Sequence, residues 1–111
     1  MQISDKTFYS IVDFAERSVR NQTAPSREGV WGILTRLIGA WGLYIPILER
    51  ILVAPVGTLE EEAWVYYHEV GHWALVRKGI FCEDEKEEEQ ICNDIAFILM
   101  NRIADETYKL V

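Results

Sequence analysis

The chain's two histidines, His68 and His72, stand four positions apart, and Glu69 directly follows the first. Four residues advance an α-helix by about 400°, so imidazoles at this spacing leave one helix face with Cβ atoms about 5–6 Å apart. That separation lets both rings meet one ion. Zinc accepts imidazole nitrogen at about 2.0–2.1 Å, and a catalytic zinc keeps three protein ligands and one position for water. A glutamate after the first histidine can face that water and take its proton, which is the chemistry of the His-Glu-x-x-His pattern. The competing reading is a core helix whose apolar face, with Val65, Leu75 and Val76, also holds two histidines. The spacing, the glutamate and Gly71, which leaves room for another element to approach, favour the metal reading.

The pair must sit well inside a helix for this geometry to hold. Pro55 and Gly57 end the preceding segment, and Thr58 with Glu61 forms a capping-box pattern over an acidic first turn. Gly79, after Arg77 and Lys78, is a C-terminal stop, so the spacing predicts a helix over 59–78.

No histidine remains to supply a third ligand, which leaves glutamate, aspartate or cysteine. Asp84 caps a predicted helix running to about Tyr108, with Ile91, Ile95, Ile98, Leu99 and Ile103 as its apolar surface. Most of the run Glu85–Glu89 reads as a solvated helix start favoured by the helix dipole. Glu88 and Glu89 precede Cys92, Asn93, Ala96, Leu99 and Met100 by one to three turns, so at least one of them points to the buried side. A carboxylate there needs a partner, and a metal is one. Cys82 reads as a plain buried or loop thiol.

Upstream, Ser4 caps a first helix whose apolar residues Phe8, Ile11, Val12, Ala15 and Val19 follow three-four spacing to near Asn21. Residues 21–29 read as a loop around Pro25. Residues 30–54 are apolar enough for helix or strand. Gly29, Gly32, Gly39, Gly42 and Pro46 oppose a continuous helix, so the expectation is three short antiparallel strands near 30–37, 41–46 and 50–54. The fold class is α+β in a single domain spanning 1–111.

Half the residues are apolar, as in globular domains, and acidic residues outnumber basic ones 18 to 11 for a net charge of −7. This balance argues against direct nucleic-acid binding. No run approaches the about 18 apolar residues of a membrane span, and the N-terminal sequence lacks a basic segment followed by an apolar one. With only two cysteines and no secretory pattern, the expectation is a cytoplasmic protein with reduced thiols.

The segments RILVAP, TLEEEAWVYYHEVGHWAL and EEEQICNDIAFILM, in this order, resemble the ImmA/IrrE-type zinc metallopeptidases. In that family a strand precedes the His-Glu-x-x-His helix, and a second helix supplies a glutamate within a pattern similar to Glu-x-x-Ala-Asn-x-Phe-Ala-x-x-Leu-Leu. Here Glu89, Cys92, Asn93, Ile95, Ala96, Leu99 and Met100 match it, with cysteine in place of alanine and isoleucine in place of phenylalanine. The size is also similar to minimal single-domain gluzincins.

The resemblance implies a small zincin-like domain in which His68, His72 and Glu89 bind zinc and Glu69 is the general base. A one-residue slip in register would make Glu88 the ligand instead. The implied function is hydrolysis of a peptide bond in a protein or peptide substrate, with a basic DNA-binding regulator as the expected class. The residues themselves single out no transition-state stabiliser beyond the metal: Tyr66, Tyr67, Tyr108 and Arg102 are candidates, and aromatic residues at these spacings are more often core or interface. The alternative is a non-catalytic or latent zinc-binding protein of the same fold, for which Trp31, Trp41, Trp64 and Trp73 offer interface surface.

Overall fold

The computed structural model describes residues 3–28, 39–55 and 58–104. Helix α1 spans Asp5–Arg20, with Ser4 Oγ accepting from the Thr7 N–H at 3.1 Å. Its inner face buries Ile11, Val12 and Ala15, with Phe8 and Val19 half-buried beside them, as the apolar spacing predicts.

Strands β1 (Arg27–Glu28), β2 (Gly42–Ile45) and β3 (Arg50–Val53) follow. β2 and β3 pair antiparallel, with Leu43 opposite Leu52 and Tyr44 opposite Ile51. A turn joins them in which the Glu49 N–H donates to the Pro46 carbonyl, and Glu49 takes φ 49°. The expectation of three antiparallel strands is corrected at β1, which lies in the segment read as a loop and pairs parallel to β3. Tertiary contacts hold that segment extended. The Tyr66 hydroxyl donates to the Pro25 carbonyl at 2.7 Å, and Arg27 lies 3.9 Å from Glu62. The predicted strand 30–37 falls outside the described residues. The sheet order is β1-β3-β2, so β3 is central and β2 has no second strand partner among the described residues.

Helix α2 (Leu59–Arg77) is the centre of the molecule. Thr58 Oγ1 accepts from the Glu61 N–H at 3.1 Å, and its hydroxyl donates to the Glu61 carboxylate. At the other end Gly79 has φ +68°, and the N–H groups of Gly79 and Ile80 donate to the Val76 and Leu75 carbonyls. This is the reciprocal bonding of a Schellman stop. Val65, Val70, Trp73, Ala74 and Leu75 are buried along α2, while Val76 is exposed.

Helix α3 (Glu85–Leu99) starts at Asp84, whose carboxylate accepts from the Lys86 N–H at 2.9 Å. The predicted α-helix to Tyr108 is corrected: it stops at Leu99 and gives way to a π-helical segment, Met100–Ala104, and residues 105–111 lie outside the description. There Arg102 is drawn to α1, donating to Asp13 and Glu16, while Arg20 donates to the Arg102 carbonyl. α3 crosses α2 closely, because a Cβ on Gly71 would meet Cys92 Cα, Cβ and Sγ, each at 3.3 Å. No helix among the described residues is long and apolar enough to cross a membrane.

Two glycines give separable expectations. Gly71→Val forces a branched side chain into the crossing and should cost about 1–3 kcal/mol. Gly79→Ala meets no atom within 4 Å, so its loss should reflect only the left-handed backbone, about 1–2 kcal/mol. Chemical denaturation of both variants measures these losses, and an undiminished midpoint for Gly71→Val would contradict the packing described.

Candidate metal centre

His68 and His72 leave α2 on the side that faces α3, with ring centroids 5.0 Å apart. Glu89 comes from the first turns of α3 and spans both rings. Its Oε2 lies 2.9 Å from His68 Nε2, and its Oε1 lies 2.9 Å from His72 Nε2. Glu88, its neighbour, reaches the far side of the second ring, with Oε2 2.7 Å from His72 Nδ1. The two carboxylates named from sequence therefore take different positions. Glu89 faces the nitrogens that converge, and Glu88 bonds the nitrogen that points away.

His68, His72 and Glu89 form a group that can hold a metal ion, with one ligand atom from each lying within 4.8 Å of the others. The protonation chemistry fits a cation. His72 presents both ring nitrogens to carboxylates, Nδ1 to Glu88 and Nε2 to Glu89. With a cation on Nε2, the Nδ1 proton alone serves Glu88, which is the arrangement that orients metal-bound histidines. Burial, the largest influence, pulls the His68 imidazole below its ordinary pKa, against Glu89 and Asn93, which favour its charged form. A neutral ring is the form that ligates.

Glu69 is buried on the same helix beside the pair. Burial pushes its carboxyl up to about 7; Glu89 adds to the rise, while His72 and the donating Tyr44 backbone N–H oppose it. β2 can lie this close because its first residue is glycine. A Cβ on Gly42 would come within 2.5 Å of Val65 Cγ1 and 3.2 Å of the Glu69 side chain. Gly42, Leu43, Tyr44 and Pro46 wall a cleft of about 410 Å³ whose floor includes His68, Glu69 and His72.

The other candidates are used elsewhere. Tyr66 tethers Pro25, and burial pushes its phenol up to about 12. Tyr67 is buried in the core, Arg102 clamps α1, and Tyr108 lies outside the described residues. Cys82 and Cys92 are free, buried thiols, and neither joins the metal-holding group. No local pattern in the sequence pairs the Tyr44 N–H with Glu69. Gly42 was the one visible signal, as a residue that permits close approach. No family model matches the chain, and no curated protein or solved structure matches it.

Metal analysis after equilibrium dialysis should find one ion per chain. His68→Ala, His72→Ala and Glu89→Ala should each lose stoichiometric binding. Glu88→Gln should keep the site and weaken it by about 10–100-fold, as expected when a histidine loses its orienting carboxylate. A Glu88 variant that loses the metal as fully as Glu89→Ala would reverse the two assignments.

Proposed function

We propose that this protein is a zinc-dependent endopeptidase resembling the ImmA/IrrE type, with zinc held by His68, His72 and Glu89. The observation that carries this reading is the convergence of two Nε2 atoms and one carboxylate beside a buried glutamate, next to β2, a strand with no second strand partner among the described residues. Two nitrogens and one oxygen, with room for water, form the ligand set of a catalytic zinc.

When bound, zinc supplies Lewis-acid polarisation of a water and of the scissile carbonyl. Glu88 keeps the His72 proton on Nδ1 and so leaves Nε2 free to ligate. Glu69 accepts a proton from the attacking water and returns it to the leaving amine nitrogen, a role served by a carboxyl whose pKa is raised toward neutrality. The substrate backbone lies extended along β2, which has no second strand partner among the described residues, although its Tyr44 N–H is already held by Glu69. The net charge of −7 suits a basic protein substrate, and a DNA-binding regulator is the class proposed.

Glu69→Gln should retain zinc and lower hydrolysis of a quenched fluorescent peptide by about 10²–10⁴-fold, the usual contribution of a general base. Equal turnover by Glu69→Gln and wild type would remove Glu69 from this role. Zinc binding without cleavage of any peptide or basic protein would favour the alternative, a non-catalytic interaction protein of the same fold.

A further inference from the structure

Beside the cleft over the candidate centre lies a second hollow of about 290 Å³, walled by Trp41, Gly42, Trp64, Val65 and Asn93. His68, Glu69 and Glu89 line it as well, so whatever fills it lies against the groups proposed to act on substrate. Trp64 sits one helical turn before His68 and stacks on its ring, with centroids 5.5 Å apart and planes at 22°. Trp41 immediately precedes Gly42, at the end of β2 nearest this hollow.

These two indoles do not serve the core. Trp41 is 64% exposed and Trp64 38%, whereas Trp73 is 2% exposed and packs against Phe14. Two accessible indoles sharing one hollow with the candidate centre offer flat apolar faces to a ligand and little hydrogen bonding. Aromatic rings gain both area burial and stacking on such faces. The carboxylates of Glu69 and Glu89 border the same space and disfavour an acidic occupant. A peptide running along β2 alternates its side chains between two directions, so every second residue can turn toward the α2 side of the strand.

We propose that Trp41 and Trp64 form a specificity subsite that takes an aromatic or large aliphatic side chain next to the scissile bond. The inference rests on the peptidase reading of the centre and names the substrate class that reading leaves open. Trp64 has a double contact: one face supports the His68 ring, and the remainder borders the hollow.

The test uses a peptide series in which one phenylalanine moves along an otherwise alanine- and lysine-containing sequence. The zinc-loaded Glu69→Gln protein is titrated with each peptide while the indole N–H resonances are followed by NMR, and wild-type cleavage positions are mapped by mass spectrometry. Phenylalanine peptides are expected to bind roughly tenfold or more tightly than the same sequence with alanine in that place, the discrimination available to an apolar pocket. They should shift the Trp41 and Trp64 resonances, and wild type should cut beside the phenylalanine. Trp41→Ala and Trp64→Ala should each remove most of the preference, and Trp64→Phe should retain part of it. Equal affinity for phenylalanine and alanine peptides, or unmoved indole signals, overturns the subsite. Cleavage without phenylalanine preference overturns the subsite and leaves the peptidase. Phenylalanine-selective binding that shifts both indoles, with no cleavage by wild type, supports the subsite and overturns the peptidase reading.

Discussion

The crossing of α2 and α3 at Gly71 and Cys92 sets the distance on which the site depends. With hydrogen in place of a side chain on Gly71, the Cys92 backbone itself comes into contact range. Carboxylates one turn earlier on α3 then reach imidazoles on α2 with short side chains. Glu88 and Glu89, adjacent in sequence, end on opposite sides of His72. A wider crossing would leave Glu89 short of one ring or both, because its reach is fixed by a few covalent bonds.

The same closeness creates an electrostatic problem that the structure answers locally for all but one buried nitrogen of the site. His68 and Glu69 are buried in a helix otherwise surrounded by Val65, Val70, Ala74 and Leu75. Buried polar groups are costly unless paired. Glu69 is met by the Tyr44 N–H, and His68 Nε2 and both His72 nitrogens are met by two carboxylates from α3, while His68 Nδ1 is buried without a hydrogen-bond partner among the described residues. Burial raises the pKa of Glu69 and lowers that of His68, so both groups are driven toward their neutral forms. A cation held there would favour the same neutral ring at His68 and, by its charge, the ionised carboxylate at Glu69.

The periphery keeps these parts in register. The Arg102 guanidinium bonds Asp13 and Glu16, so the segment after α3 is held on α1, and Tyr66 holds the chain before β1. Arg77 at the end of α2 lies 3.3 Å from Glu49 in the β2–β3 turn. That contact ties the hairpin carrying Gly42 and Tyr44 to the helix carrying the histidines. Exposed pairs of this kind contribute little stability singly, and their role here is to orient one element on another.

Features set within a few residues were readable in the sequence. The caps at Ser4, Thr58 and Asp84, the stop at Gly79 and the shared face of His68 and His72 all follow from local hydrogen bonding and the helical repeat. The α+β class and the β2–β3 hairpin followed from glycine and proline punctuation. The parallel pairing of β1 and the π-helical end of α3 did not, because Tyr66, Arg27 and Arg102 act across 35 or more residues, as the separations of 41 and 86 for two of their bonds illustrate. Sequence by itself determined that His68, Glu69 and His72 lie within one helix, with the two imidazoles on one face, since Thr58 and Gly79 bound the segment and 3.6 residues per turn brings positions four apart to the same side. Only the tertiary structure decided that Glu89 meets both Nε2 atoms while Glu88 takes Nδ1, and that Gly42 brings a strand edge and Trp41 alongside. Those outcomes depend on how closely separate elements pack, a distance that no spacing along the chain encodes.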